Sequence, residues 1–118
     1  MKTLIIHHDD CLKHDTGKLN PESKERIGAV LSGLQGLPDL EYLPAPKATA
    51  GQLARVHSTD YQQLLWDTEP QSGYVALGEP DMIISGGSVD AALRGCGAVC
   101  FALDQIMAGK ATKAFCVT

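Results

Sequence analysis

The sequence has no long apolar run, no cluster of basic residues and no paired Cys-x-x-Cys spacing. Its first apolar stretch, residues 1–6, is too short for the core of a signal peptide, and no later stretch approaches the roughly 20 residues that span a bilayer. The ten Lys and Arg residues are scattered and the formal net charge is −4, which does not suit a nucleic-acid surface. We therefore expect a cytoplasmic protein with no membrane or nucleic-acid partner.

The four cysteines are Cys11, Cys96, Cys100 and Cys116. Without an export signal, we predict that they are reduced thiols. Cys96 and Cys100 lie one helical turn apart, a spacing that also suits a metal or redox pair. Because both fall within an apolar helical stripe, we predict that they are core residues.

Length and composition indicate one folded unit. A chain of 118 residues can form one compact core but not two. Apolar residues make up 44% and charged residues 20%, as in ordinary globular proteins. We predict a single domain over residues 1–118.

The first half of the chain shows local signals for alternating strands and helices. Thr3–Ile6 are typical of a buried parallel strand, which leads into a polar loop at residues 7–10. The triplet Asn20-Pro21-Glu22 predicts the start of a helix, which Gly36 ends. Residues 40–43 then predict a second strand.

The second half predicts three helices and a strand. Thr49–Gln52 match a capping box, Ser58 can cap a further helix, and residues 67–80 have the composition of a surface loop. A long helix should run from a cap at Ser88 to Gly109, with a third strand at residues 114–117. The buried stripe of this long helix is predicted to comprise Val89, Ala92, Leu93, Cys96, Val99, Leu103, Ile106 and Met107.

Gly95 and Gly97 interrupt this long helix. Each glycine weakens a helix by roughly 1 kcal/mol relative to Ala, which suggests that another backbone passes close by. The order of elements predicts an α/β fold with a small, mostly parallel sheet flanked by helices.

Candidate chemistry is concentrated after the first strand. Adjacent histidines on an extended chain point in different directions, so we predict no metal site there. We predict that Arg26 pairs with Glu22 and that His14 joins them in linking the first loop to the first helix. His57 near Asp60 is expected to make a structural hydrogen bond at a helix junction, since no nucleophile motif accompanies it. The potential metal ligands in the loop after the first strand are His7, His8, Asp9, Asp10, Cys11 and His14.

Four segments match motifs of one enzyme family. They resemble the N-terminal region of the histone deacetylase and acetylpolyamine amidohydrolase family, in particular its bacterial class II-like members. Asn20 stands where the family usually has His, and Lys24 where it often has Pro. The segments are His14 with residues 20–27 (N-P-E-S-K-E-R-I), residues 56–58 with Tyr61 (V-H-S-x-x-Y), residues 81–99 (D-x-x-x-S-x-G-S, A-A-L-R, G-A-V) and residues 109–117 (G-K, A-F-C-V).

The resemblance implies a partial arginase/deacetylase-type layered fold and, for the family, zinc-dependent hydrolysis of an acetamide. In the family, two Asp and one His hold zinc while a pair of histidines handles protons. Residues 114–117 resemble the strand that leads into the family's R-P-P-G-H-H, so the resemblance implies truncation before that pair. No D-x-H ligand pair occurs in the sequence. We therefore predict no catalytic residue, no metal ligand and no bound cofactor in this chain.

The resemblance assigns roles to a few residues. Asp81 resembles the aspartate at the rim of the active site that accepts backbone N–H groups of an acyl-lysine substrate; otherwise it is a solvated or capping carboxylate. The other matched motif residues are expected to be structural: His14, Pro21, Glu22, Arg26, His57 and Tyr61.

Three functions follow as hypotheses. The first is a noncatalytic, deacetylase-like protein that forms a homo-oligomer through an exposed sheet edge or helix face. The second is a fragment of a zinc-dependent deacetylase, for acetyl-lysine or acetylpolyamine substrates, that another polypeptide completes. The third is a module that binds acylated ligands without cleaving them.

Overall fold

The computed structural model describes all 118 residues, and helices cover both faces of a central sheet. No helix is both long enough and apolar enough to cross a membrane. The elements in chain order are β1 (Thr3–His7), a 3-10 helix (Asp9–Lys13), α1 (Glu25–Leu34), β2 (Leu40–Pro44), α2 (Ala50–Ala54), α3 (Thr59–Thr68), β3 (Tyr74–Ala76), β4 (Ile83–Ser85), α4 (Ser88–Met107) and β5 (Ala114–Val117).

The central sheet has three strands in the order β2-β1-β5, and β1 pairs in parallel with both neighbours. Alternate side chains of β1 enter two different cores. Leu4 and Ile6 pack with Ala98 and Ala102 on α4, whereas Ile5 packs with residues that include Ile27 of α1. The predicted α/β class and the buried parallel strand are confirmed.

Helix starts were predicted correctly where both partners of a cap lie within one turn. Thr49 and Gln52 form the predicted capping box of α2, and the Ser58 hydroxyl accepts from the N–H of Tyr61 at the start of α3. The predicted start of α1 was wrong, since α1 begins at Glu25. The Asn20 side chain accepts from the N–H of Glu22 at 2.9 Å, and this local turn competes with helix formation.

Two segments predicted as loops contain regular structure. Residues 9–13 form the 3-10 helix, for which His8 is the N-cap. Within residues 67–80, α3 continues to Thr68 and β3 follows, pairing antiparallel with β4. A strand of three residues is too short to show a period of two, which explains why the sequence did not reveal it.

The predicted extent of α4 is close to the observed one, but its predicted stripe is largely wrong. Val89 is buried, whereas Ala92, Cys96, Val99, Leu103 and Met107 are exposed. The positions that pack against the sheet include small residues, because α4 lies close to the neighbouring backbone. Because Cys96 is exposed, it is not a core residue as predicted. All four cysteines are free thiols. These close-packed positions are Gly97, Ala98 and Ala102.

The N-terminus of α4 is also capped differently from the prediction. The N-cap is Gly87, with φ of 93°, and not Ser88. The carboxylate of Glu69, at the end of α3, accepts from the N–H of Val89 at 2.8 Å. A distant acidic side chain therefore satisfies a helix end that local sequence leaves open.

Substitutions at Gly97 and Gly33 test the close approach of α4 to the backbone that follows β2. A Cβ on Gly97 would collide with the Pro46 carbonyl oxygen and lie 2.7 Å from the Ala48 nitrogen, whereas one on Gly33 meets nothing within 4 Å. We expect Gly97→Ala to lower the free energy of unfolding by about 1–3 kcal/mol. Gly33→Ala, the matched helical control, should raise it by about 0.5–1 kcal/mol. Urea denaturation measures both, and an equal effect of the two substitutions would contradict the packing argument.

Candidate functional site

Several polar residues after β1 make hydrogen bonds within the fold, although the buried Nε2 of His7 has no hydrogen-bond partner. His7 Nδ1 lies 2.9 Å from the Val117 carbonyl oxygen. His8 Nδ1 accepts from the N–H of Asp10 at 3.0 Å. These contacts fix the chain at the carboxyl ends of β1 and β5.

Asp10 joins the 3-10 helix to α4. Its carboxylate accepts from Lys13 Nζ at 2.8 Å and from Arg94 Nε at 2.9 Å. Arg94 also donates to the Ala45 carbonyl oxygen at 2.9 Å. The hydrogen bonds from Lys13 and then Arg94 lower the pKa of Asp10 from its usual 3.8 to about 2. The pair of Asp10 and Arg94 therefore connects the 3-10 helix, α4 and the residue that follows β2.

A cavity of about 330 Å³ opens between the first loop, α1 and the first turns of α4. His14, Glu22 and Arg26, which the sequence singled out together, all line it. The same cavity is lined by Cys11, Ser23, Lys24, Ile27, Leu65, Ile84, Ser88, Val89, Ala91, Ala92, Gly95 and Thr118.

His14 contacts two side chains at this cavity. Its Nδ1 lies 2.8 Å from Ser88 Oγ, and its Nε2 lies 3.4 Å from Glu22 Oε1. The predicted Glu22–Arg26 pair is wrong, because Glu22 precedes α1 and Arg26 instead donates to the Thr118 carbonyl oxygen at 2.8 Å. His14 therefore links the first loop to α4 through Ser88.

The other predicted residues lie elsewhere. Asp81 is exposed and does not line the cavity; its carbonyl oxygen accepts from the Asn20 side chain at 3.0 Å. His57 makes hydrogen bonds at the junction of α2 and α3 through its backbone, where its carbonyl oxygen accepts from Gln62 Nε2 at 3.2 Å, and its ring packs against Tyr61 with centroids 5.4 Å apart. Pro21 is exposed in the turn before α1.

Sequence reasoning missed the chemical context of Ser88. Ser88 Oγ accepts from the N–H of Ser85 at 2.8 Å, and Ser85 Oγ accepts from the N–H of Asp15 at 3.1 Å. The histidine partner lies 74 residues earlier in the chain, so no local motif indicated the contact. The sequence supported only a helix-capping role for Ser88.

The polar groups here do not fit the zinc ion of the family that the sequence resembles. No group of three or more His, Cys, Asp or Glu side chains is arranged to hold a metal. An open catalytic zinc site uses three protein ligands. The nearest candidates are engaged elsewhere: His8 with Asp10, Asp10 with Lys13 and Arg94, and His14 with Ser88.

Asp10 should govern part of the stability at low pH. Because its pKa is lower in the folded chain than its usual 3.8, its contribution is complete above about pH 4 and is lost as the pH falls toward 2. We expect Asp10→Asn to reduce stability at pH 6 and to flatten the decline below pH 4, as measured by thermal unfolding across this range. Asp9→Asn is the control, since Asp9 is exposed; an unchanged acid profile in Asp10→Asn would contradict the assignment.

Comparison with known proteins identifies the family of this chain. No curated protein matches the sequence, but 46 chains among solved structures match. One is the crystal structure of the HDA15 HD domain, with a TM-score of 0.79 and 17% identity, covering 99% of this chain and 35% of that chain. The chain thus spans about a third of that matched protein. The histone deacetylase domain model matches residues 20–118, and the chain belongs to this family.

Proposed function

We propose that this chain is a deacetylase-type module that does not hydrolyse acetamides by itself and that self-associates through an uncovered apolar surface. The surface is the α4 outer face, defined as Ala92, Cys96, Val99, Leu103 and Met107. The exposed fractions of Val99, Leu103 and Met107 are 51%, 57% and 85%. This face is the observation that carries the proposal. The proposal also includes a cytoplasmic location.

The α4 outer face suits protein contact because its residues recur every three or four positions. They form one stripe along the helix, on the side away from the sheet. A contiguous apolar stripe of this kind marks an interaction surface more often than isolated exposed residues do. Full burial of an exposed Val, Leu or Met side chain contributes about 1.5–3 kcal/mol, and Val99 and Leu103, which are already about half buried, would contribute less than Met107.

A second feature that favours association is the edge of the sheet. β5 pairs with β1 alone, so its other edge has unpaired backbone groups. Phe115 on this strand is half exposed. Such an edge can accept a further strand from another chain.

The noncatalytic part of the proposal rests on the donor groups. His8, Asp10 and His14 are engaged in hydrogen bonds within the fold, and release of Asp10 or His14 would break a contact to α4. Zinc-dependent hydrolysis would therefore require ligands from outside these 118 residues.

A second candidate function is supported by the extent of the match. Because the chain spans 35% of the HDA15 HD domain chain, another polypeptide can supply the remaining elements, cover the α4 outer face and contribute the zinc site. The completed assembly would hydrolyse acetyl-lysine or acetylpolyamine amides with zinc. The same surface serves both candidates, and they differ in what covers it.

Self-association can be tested with Leu103→Glu. We expect the wild-type chain to sediment as a dimer or larger species at tens of micromolar, and Leu103→Glu to weaken association about tenfold or more, because a charge cannot be buried without a partner. Leu64→Glu is the matched control, since Leu64 is 50% exposed but lies on α3. A monomeric wild type, or equal effects of both substitutions, would contradict the proposal.

Zinc and acetate measurements test the noncatalytic part. After dialysis with zinc, the purified chain should retain no stoichiometric metal and should release no acetate from an acetyl-lysine peptide. Metal content by mass spectrometry and acetate release by enzyme-coupled assay give the two readings. Zinc-dependent release by this chain alone would overturn the proposal, whereas release only after a second polypeptide is added would favour the completed-enzyme candidate.

A further inference from the structure

Ser88, His14 and Glu22 form a chain of polar contacts at one wall of the cavity. Ser88 Oγ lies 2.8 Å from His14 Nδ1, and His14 Nε2 lies 3.4 Å from Glu22 Oε1. All three residues line the cavity of about 330 Å³. A hydroxyl, an imidazole and a carboxylate in this order are the components of an activated serine nucleophile.

The contacts of His14 favour one arrangement of its protons. The Glu22 carboxylate lies 3.4 Å from Nε2, and a nearby carboxylate favours a proton on that nitrogen, which leaves Nδ1 as an acceptor. Ser88 Oγ already accepts from the N–H of Ser85, so its own proton is available to donate to Nδ1. His14 is thus arranged to take the Ser88 proton, while Glu22 is a positioning residue that acts through His14.

The location of Ser88 also favours negative charge on its oxygen. Ser88 is the first residue of α4, where the helix dipole is positive. The Ser85 N–H that donates to Ser88 Oγ would stabilise the oxygen as the proton leaves. The N–H groups of Ser88 and Asp90 make no hydrogen bond to a protein acceptor, as is usual in a first helical turn, and they supply donors for an oxyanion.

We propose that Ser88 is a nucleophile that accepts the acyl group of a small carboxylic ester, with His14 as its general base. A cavity of about 330 Å³ has room for a short acyl chain with a small alcohol or phenol. This site adjoins the proposed surface for association at Ala92, which lines the cavity, and the reaction needs no metal.

The reaction balances within these groups. The Ser88 proton moves to His14 Nδ1 as Oγ bonds to the ester carbonyl carbon; the bond from that carbon to the alcohol oxygen breaks, and the alcohol leaves with the proton from His14. Water then attacks the acyl carbon and gives a proton to His14. The acid leaves as the bond to Ser88 Oγ breaks and the proton returns to that oxygen.

Cys11 and Ser23 also line the cavity but lack this activation. Burial raises the pKa of the Cys11 thiol, which keeps it protonated at neutral pH. Ser23 donates its hydroxyl to Glu25 and contacts no histidine. Ser23 therefore lines the same cavity as Ser88 but has no histidine to accept its proton.

The comparison of Ser88 with Ser23 provides the experiment. The 118-residue chain is treated with a fluorophosphonate, and the modification of each serine is followed by tandem mass spectrometry. We expect Ser88 to react on the order of 100-fold faster than Ser23, as general-base assistance predicts. This comparison is made within one folded protein, so it does not depend on a variant that folds.

Variants then test the individual roles. His14→Gln should remove the preference for Ser88, and Glu22→Ala should slow the labelling of Ser88, with part of the rate restored in Glu22→Gln, whose amide oxygen still accepts from Nε2. Release of 4-nitrophenol from 4-nitrophenyl acetate should be lost in Ser88→Ala and unchanged in Ser32→Ala, because Ser32 is exposed on α1 and does not line the cavity. Equal labelling of the two serines, no labelling of Ser88, or release that persists in Ser88→Ala would overturn the proposal.

Discussion

The close approach of α4 to the segment after β2 is the constraint on which the rest of the structure depends. At Gly97 there is no room for a side chain beside the Pro46 carbonyl oxygen, and the N–H of Ala48 donates to the Leu93 carbonyl oxygen at 2.9 Å. Two backbones therefore meet where a larger residue would hold them apart. This contact fixes the distance between α4 and the sheet, and the small side chains of Ala98 and Ala102 fill the narrow layer between them.

Two polar contacts depend on that position of α4. Arg94 reaches Asp10 on the 3-10 helix, and Ser88 reaches His14 on the first loop. The first contact is between charged groups and lowers the pKa of Asp10, whereas the second brings a hydroxyl and an imidazole to a cavity. Both contacts join α4 to residues more than 70 positions away, so a displaced helix would lose them together. The polar contacts of the site therefore depend on the packing of small residues on α4.

What the sequence could predict depends on how far apart the partners lie. The caps at Thr49 and Ser58 were predictable because each bonds an N–H three residues later. The buried side of α4 was not, because hydrophobicity does not reveal that the neighbouring backbone admits only small residues. The family motifs identified His14 and Glu22 as residues of interest but did not indicate that Ser88 contacts His14. Long-range contacts of this kind follow from the fold and not from spacing.

The cavity and the α4 outer face are physically connected. Ala92 belongs to the outer face and also lines the cavity, and Gly95, one turn before Val99, lines it as well. Ser88 itself is only 6% exposed, so small molecules must reach it through the cavity. A chain that covers the first turns of α4 would therefore restrict entry to the cavity, whereas one that covers only Leu103 and Met107 would leave it open. The position at which a partner sits along α4 decides whether association and access to Ser88 exclude each other.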